Sequence, residues 1–148
     1  MKQQTLTITS SYSPISQKLK SLLKSKVETF WEQNPTKIDC ESLTINFRDT
    51  TYSADAGGYH PVEIMLLKEQ ESQYQIQYLT DFAYMGNIYP ELERNVDFDI
   101  ENGQAFIVPL GWQSCHCDQM VGFYALWERN FLAYLQMEAY DEVKISMS

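Results

Sequence analysis

The chain has 148 residues, a formal net charge of −9 and 44% hydrophobic residues, a composition that fits one globular domain and excludes a largely disordered chain. No apolar run approaches the roughly 18 residues of a membrane-spanning helix, and an N-terminus without an apolar segment predicts no secretory signal. The negative charge disfavours nucleic acid as a partner, because phosphate backbones would be repelled.

The basic residues are concentrated at the N-terminus. Residues 1–26 contain five lysines and no acid, whereas residues 27–148 contain all twenty acids. The lysine segment could contact an acidic partner or the acidic surface of a second copy in a homodimer, but a solvated helix face is the simpler explanation. The spacing of Cys40, Cys115 and Cys117 suits no disulfide framework, which favours a reducing, cytoplasmic location.

The N-terminal part of the chain predicts a short edge strand over residues 3–9, followed by one amphipathic helix. Ser13 and Pro14 are typical of an N-cap with proline at the first helical position. The helix should end near Asn34, because Pro35 disfavours helical geometry in the residue before it. The apolar residues recur at spacings of three and four, and they are Ile15, Leu19, Leu22, Leu23, Val27, Phe30 and Trp31.

The middle of the chain alternates between apolar and polar residues, as β-strands do. Leu43, Ile45 and Phe47 predict one half-buried strand. The runs 62–67 and 74–84 predict a long hairpin. One face of its second strand is expected to carry Tyr74, Ile76, Tyr78, Thr80, Phe82 and Tyr84.

A second hairpin is predicted around Asn102 and Gly103, because an Asn-Gly pair between alternating runs favours a type I′ turn with positive φ at both central residues. The alternating apolar residues on its two sides are Val96, Phe98, Ile100, Phe106 and Val108.

The C-terminal part predicts a second amphipathic helix with Asp118 as its N-cap. Its apolar stripe is unusually aromatic and consists of Met120, Phe123, Tyr124, Trp127, Phe131, Tyr134 and Leu135. The predicted architecture is therefore a single α+β domain over residues 1–148. It has two layers, with a mainly antiparallel sheet of about five strands and an N-terminal and a C-terminal amphipathic helix.

The loop at 49–61 is long for a connection between two strands, and such loops are often functional or mobile. Gly57 and Gly58 let the backbone turn tightly or approach a partner closely, next to Tyr59 and His60. A simple turn before a strand explains the glycines as well. No glycine-rich phosphate-binding motif occurs in the sequence, so no cofactor is predicted.

Asp81 lies in an otherwise apolar and aromatic strand, on the face opposite Tyr78 and Phe82. If that face is covered, burial would raise the pKa of the carboxyl group unless donors or a cation hold it ionised. The favoured interpretation is a solvated or hydrogen-bonded carboxylate, since acidic side chains are almost never fully buried unless paired.

An acidic run follows Tyr84 and Tyr89, within and after the loop at 85–94. It could contact a basic partner or mimic nucleic-acid phosphate, although a polar strand face is the favoured explanation. Its acids are Glu91, Glu93, Asp97, Asp99 and Glu101.

Cys115, His116 and Cys117 form the one metal-like cluster in the sequence. In an extended stretch the two thiols would point the same way, but zinc sites usually show a wider cysteine spacing and a second ligand pair. No metal site is therefore predicted. The surplus of tyrosine and tryptophan fits a binding surface or a dimer interface, beyond what a small core needs.

Two longer stretches resemble a known family. Residues 46–64, NFRDTTYSADAGGYHPVEI, and residues 78–94, YLTDFAYMGNIYPELER, are similar to an uncharacterised bacterial family, domain of unknown function 2787. Residues 127–131 and 140–143 are similar too, and the resemblance runs from about residue 43 onward. It implies a small bacterial cytoplasmic protein and supplies no activity, cofactor or catalytic residue.

Three functional hypotheses remain from the sequence. The leading one is a non-enzymatic binding module that contacts a protein or small molecule through its inter-strand loops, with Tyr59, His60, Asp81, Tyr84, Tyr89, Glu91 and Glu93 as candidate contact residues. The first alternative is a ligand-binding or enzymatic pocket between helix and sheet, which requires His60 and Asp81 within hydrogen-bond reach, directly or through one water. The second is metal binding through Cys115 and Cys117.

Overall fold

Eight strands and two α-helices form within residues 5–147, the part of the chain that the computed structural model describes. In chain order they are β1 (Thr7–Thr9), α1 (Gln17–Gln33), β2 (Ser42–Arg48), β3 (Val62–Gln70), β4 (Gln73–Met85), β5 (Glu91–Asp99), β6 (Gln104–Ile107), β7 (Gly111–Ser114), α2 (Asp118–Gln136) and β8 (Glu142–Met147). A single 3₁₀ turn at Pro35–Lys37 connects α1 to β2.

The strands form one sheet in the order β7-β6-β5-β4-β3-β2-β8, with every neighbouring pair antiparallel. β1 pairs in parallel with the start of β4. The expected α+β class with a mainly antiparallel sheet is confirmed, but about five strands is too few. β7 and β8 were missed, because β7 is only four residues long and β8 is a short segment that carries weak alternation.

Both helices lie against the same face of the sheet, so the core is a single layer of side chains between helices and strands. From α1, Trp31 packs on Tyr74 with ring centroids 5.9 Å apart. From α2, Tyr124 contacts Phe98 at 4.9 Å in a T-shaped pair. The opposite face of the sheet, called the outer face below, carries no helix of the described chain.

α1 begins later than the sequence predicts. The N-cap is Ser16 and not Ser13, because the side chain of Ser16 accepts a hydrogen bond from the backbone N–H of Leu19. The predicted end at Asn34 is confirmed. For the strand predicted at 3–9, β1 covers Thr7–Thr9, and residues 3 and 4 lie outside the described residues.

α2 begins one residue earlier than the sequence predicts. The N-cap is Cys117 and not Asp118, which is the first helical residue. Met120, Tyr124 and Phe131 are buried, as the aromatic stripe predicts. The stripe therefore faces the sheet.

A β-bulge changes the predicted faces of β4. Met65 pairs with Tyr78 and Leu66 pairs with Ile76, so Gln77 has no residue opposite it on β3. The extra residue reverses the alternation of the strand. Tyr74 and Ile76 consequently share the helix-covered face with Leu79 and Asp81, whereas Tyr78 and Thr80 belong to the outer face. The expected single face from Tyr74 to Tyr84 is wrong.

The hairpin between β5 and β6 is confirmed, but its turn is not the predicted type I′. Gly103 has a φ of 67°, whereas Asn102 is not among the described residues with positive φ. The connection from Asp99 to Gln104 contains four residues, and four-residue loops are most often built around a type I turn.

Candidate functional site

A cavity of about 360 Å³ lies between α2 and one end of the sheet, and it is called the aromatic cavity below. Four parts of the chain form its wall: the β2–β3 loop, the neighbouring strands β3 to β5, one face of α2, and the connection from α2 to β8. The lining residues are Gly58, Tyr59, His60, Val62, Asp81, Asn95, Val96, Phe123, Trp127, Asn130, Phe131, Tyr134 and Tyr140.

Strand register and helical spacing together position this wall. Val62 pairs with Asp81, and Asp81 pairs with Val96, so these three side chains form a row across the sheet. On α2 the lining residues recur at spacings of three and four, which places them on one face of the helix. The helix therefore sets its aromatic rings directly over the row that contains Asp81.

Asp81 is the polar centre of the cavity. It is only 7% exposed, and its Oδ2 atom accepts a hydrogen bond of 2.8 Å from the indole N–H of Trp127. Its Oδ1 atom accepts one of 3.0 Å from the amide of Asn95. Asn95 reaches Asp81 because it is an extra residue of β5, between the residues that pair with Asp81 and Phe82. The carboxylate is thus buried and hydrogen-bonded. Of the two environments expected from the sequence, solvated or hydrogen-bonded, it has the second.

His60 lies at the edge of the aromatic cavity, beside Asp81. Its Nδ1 atom is 3.6 Å from Oδ1 of Asp81, and its side chain is 40% exposed. The pocket hypothesis required these two side chains within direct or water-mediated hydrogen-bond reach, and at 3.6 Å they are adjacent but just beyond a direct hydrogen bond. The imidazole therefore lies beside the carboxylate at the edge of the cavity.

The β2–β3 loop is ordered by hydrogen bonds to its own carboxylate. Asp49 accepts from the hydroxyl and backbone N–H groups of Thr51 and from the backbone N–H of Tyr59, and these bonds lower the pKa of Asp49. Gly58 has a φ of +138°, and a Cβ atom there would lie 2.8 Å from the Asp49 carboxylate and 2.9 Å from the Tyr52 backbone. Glycine is therefore required for the close turn that presents Tyr59 and His60.

The two loops singled out in the sequence lie at the same end of the sheet. Tyr84, at the end of β4, donates its backbone N–H to the hydroxyl of Tyr52 in the β2–β3 loop, and their rings are 5.0 Å apart. The ring of Tyr52 also lies 5.4 Å from that of His60. Tyr84 thus supports the edge of the cavity from outside, without lining it.

The tyrosine side of the cavity is tightly packed. Tyr59 and Tyr134 form a T-shaped pair at 4.8 Å, and Tyr140 lies 6.3 Å from Tyr59. Burial, and next the nearby charge of Asp81, raise the pKa of Tyr140. Its phenol therefore stays protonated at neutral pH and is available as a hydrogen-bond donor.

Apart from Tyr84, the predicted site residues fall into two groups. Tyr59, His60 and Asp81 meet in the aromatic cavity, whereas Tyr89, Glu91 and Glu93 are exposed on the β4–β5 connection and β5. The sequence did not single out Asn95 as a site residue, and Tyr140 entered only through the family resemblance of residues 140–143. Tyr134 was visible only as a member of a helical stripe, which is ordinarily core, and Trp127 as a member of that stripe and of the similar stretch 127–131.

The acidic run is split between different environments. Glu91 and Glu93 are exposed, but Asp97 is 6% exposed and lies in a groove on the outer face. There it accepts a 2.8 Å hydrogen bond from Thr80 and lies 3.3 Å from Nε of Arg94, while burial raises its pKa. Asp97 is therefore a partnered carboxylate of the sheet, in a groove that it shares with Asp99, Glu101 and Glu63.

Cys115 and Cys117 do not form the pair of metal ligands that their spacing suggested. Cys115 is buried, whereas Cys117 is exposed at the start of α2, so the expectation that both thiols point the same way is wrong. Among residues 5–147, no three His, Cys, Asp or Glu side chains are grouped so that they could hold a metal ion. Over the same residues, no helix has the length and apolar character needed to cross a membrane.

Two solved structures share this fold over nearly the whole chain. One is a hypothetical protein, VC0508, from the VSP-II pathogenicity island of Vibrio cholerae, with 42% identity, a TM-score of 0.78 and coverage of 97% of this chain and 99% of that one. The other is a conserved hypothetical protein, VC1805, from pathogenicity island VPI-2 of V. cholerae O1, described as sharing structural homology with the human P32 protein. Its identity is 37%, its TM-score is 0.76, and 98% of each chain is covered.

A comparison with curated proteins found no match. The family model for a protein of unknown function, DUF2787, matches residues 17–146. The match includes α1, which precedes the stretches that carry the resemblance in the sequence. With that match and the two Vibrio structures, this chain belongs to the DUF2787 family.

Proposed function

We propose that the protein binds a small organic molecule in the aromatic cavity. The observation that carries this proposal is the buried Asp81 carboxylate in the wall of the cavity. It accepts hydrogen bonds from Trp127 and Asn95 and lies beside His60. A volume of about 360 Å³ falls within the range of ordinary ligand pockets. Apolar and aromatic walls with a few convergent polar groups are typical of such pockets.

A purely structural role for the same residues accounts less well for the open space. Burying a carboxylate costs free energy unless donors satisfy it, and an apolar residue at position 81 would complete a core more simply. His60 also keeps 40% of its side chain exposed beside this buried group. The combination supports a surface that receives a ligand.

The proposal modifies the leading sequence hypothesis. The β2–β3 loop remains part of the binding site, but the acidic run is not needed for it. An enzymatic role would use Asp81 to orient His60 as a general base. No serine, threonine or cysteine lines the cavity among the described residues, so the proposal stops at binding.

Blocking the cavity tests the proposal. Asn130 lies on the wall and is exposed, so Asn130→Trp is expected to fill the entrance with little effect on folding. A library of small fragments is screened by NMR, in which the three tryptophan indole N–H resonances are followed. The resonance of Trp127 is assigned as the one that is missing from the spectrum of Trp127→Phe. Compounds that shift the Trp127 resonance in the wild type should lose at least about tenfold in affinity in Asn130→Trp, since a blocked pocket forfeits most of its contact area.

The matched control is Leu126→Trp, which adds the same side chain at a 45% exposed position of α2 outside the cavity. It should leave binding unchanged. Fragments that bind Asn130→Trp as well as the wild type, or a library in which no compound shifts the Trp127 resonance, would contradict binding in this cavity.

A second candidate function is a protein contact through the tip of the β4–β5 connection. Ile88 and Tyr89 are adjacent there and are 81% and 85% exposed, an unusual placement for large apolar side chains. We expect the double variant Ile88→Ser, Tyr89→Ser to lose a partner that co-purifies with the wild type, while Leu126→Ser retains it. Identical co-purifying proteins for all three would count against this surface.

A further inference from the structure

We propose that the ligand of the aromatic cavity is a quaternary ammonium compound, an organic cation whose nitrogen carries only carbon substituents. This inference rests on the proposed function, because it names the ligand class of the same site. Three properties of the wall support it: its aromatic lining, its single carboxylate without lysine or arginine, and the hydrogen bonds that Asp81 already accepts.

The wall is dominated by electron-rich rings. Tyr59, Trp127, Tyr134 and Tyr140 all line the cavity. Tyr59 and Tyr134 pack edge-to-face with centroids 4.8 Å apart, and Trp127 is stacked on Phe131, so a ligand meets the ring surface that these contacts leave open. Aromatic rings carry negative charge density on their faces. A cage of such rings attracts a cation, and tryptophan and tyrosine are the strongest contributors.

The charged groups of the wall favour a cation. Among the described lining residues, Asp81 is the one acidic side chain, neither lysine nor arginine is present, and His60 is the one basic side chain. An anionic ligand would therefore lie close to a carboxylate with only the imidazole of His60 to balance it. A ligand with a positive charge is attracted by the carboxylate and by the rings together.

Each carboxylate oxygen of Asp81 already accepts one hydrogen bond from within the protein. Oδ2 accepts from Trp127, and Oδ1 accepts from Asn95 and lies 3.6 Å from His60. A primary ammonium group is strongly hydrated and brings three N–H donors, which would need acceptors after it left water. A quaternary ammonium group brings no donor, so it gains the electrostatic attraction without that requirement.

The experiment compares choline with its neutral carbon isostere, 3,3-dimethylbutan-1-ol, on the full-length protein. Both are titrated while the Trp127 indole N–H resonance is followed. Choline should bind at least about tenfold more tightly than the isostere, which corresponds to about 1.4 kcal/mol and falls within the range of cation–π contacts. Tetramethylammonium should likewise bind more tightly than methylammonium.

Ring variants provide the matched controls. Tyr134→Leu removes one ring of the cage and should weaken choline binding about fivefold or more. Tyr134→Phe retains the ring and should stay within about twofold of the wild type. Tyr89→Leu makes the same change at the exposed β4–β5 tip and should have no effect. Equal losses in Tyr134→Leu and Tyr134→Phe would contradict an interaction with the ring.

The failures of the two proposals are distinguishable. If the neutral isostere binds as tightly as choline, or if neutral fragments bind in a manner sensitive to Asn130→Trp while choline does not, the cation inference is overturned and binding in the cavity stands. If choline and every library fragment fail to shift the Trp127 resonance, both proposals are overturned.

Discussion

Replacing Phe131 with alanine is expected to lower the free energy of unfolding by about 3–5 kcal/mol, the usual loss for a large buried ring. Phe131 is 2% exposed. Its ring packs edge-on against Phe47 at 5.2 Å and is stacked on Trp127 at 5.3 Å. Truncation removes both contacts, and α2 can collapse only partially onto the sheet, because the aromatic cavity already lies beside this position.

Urea unfolding followed by circular dichroism measures this loss. Leu126→Ala is the matched control, because Leu126 is on the same helix and 45% exposed, and it should change stability by no more than about 0.5–1 kcal/mol. If the two variants were destabilised equally, Phe131 would not be a principal contact between α2 and the sheet.

The elements were predictable where short-range periodicity alone decides them. The stripe of α2, with Tyr124 and Phe131 facing the sheet, follows from helical spacing. Asn102 and Gly103 mark the β5–β6 hairpin correctly, although the turn itself differs from type I′. Such patterns are local, because the same few residues determine both the hydrophobic period of the element and the face that is buried.

The candidate site depends on pairings that no local pattern contains. Trp127 and Asp81 are 46 positions apart and meet only because α2 crosses the end of β4. Asn95 reaches Asp81 through an irregularity in the pairing of β4 with β5. The face of Asp81 could be stated relative to its near neighbours, but the bulge at Gln77 decides which of those neighbours share it. Bulges and register are set by cross-strand packing, so they become visible only in the assembled sheet.

Removing the carboxylate of Glu128 should have the other large effect on stability. Glu128 lies on α2, is 7% exposed, and its Oε1 atom accepts two hydrogen bonds. One comes from the backbone N–H of Ser16 at 2.8 Å and the other from the hydroxyl of Tyr124 at 2.9 Å. Ser16 is the N-cap of α1, so the carboxylate connects the start of α1 to the middle of α2. Its negative charge also interacts favourably with the positive end of the α1 dipole.

Glu128→Ala leaves both donors without their acceptor, at a cost of about 1–3 kcal/mol for each that stays buried. We therefore expect a total loss of about 2–4 kcal/mol in urea unfolding. Glu128→Gln keeps an oxygen at the same position and should lose clearly less, because only the charge assistance of the two bonds is removed. Glu32→Ala, at an exposed position of α1, should be nearly neutral. A Glu128→Gln variant as unstable as Glu128→Ala would show that the charge of Glu128, and not the acceptor at Oε1, connects the two helices.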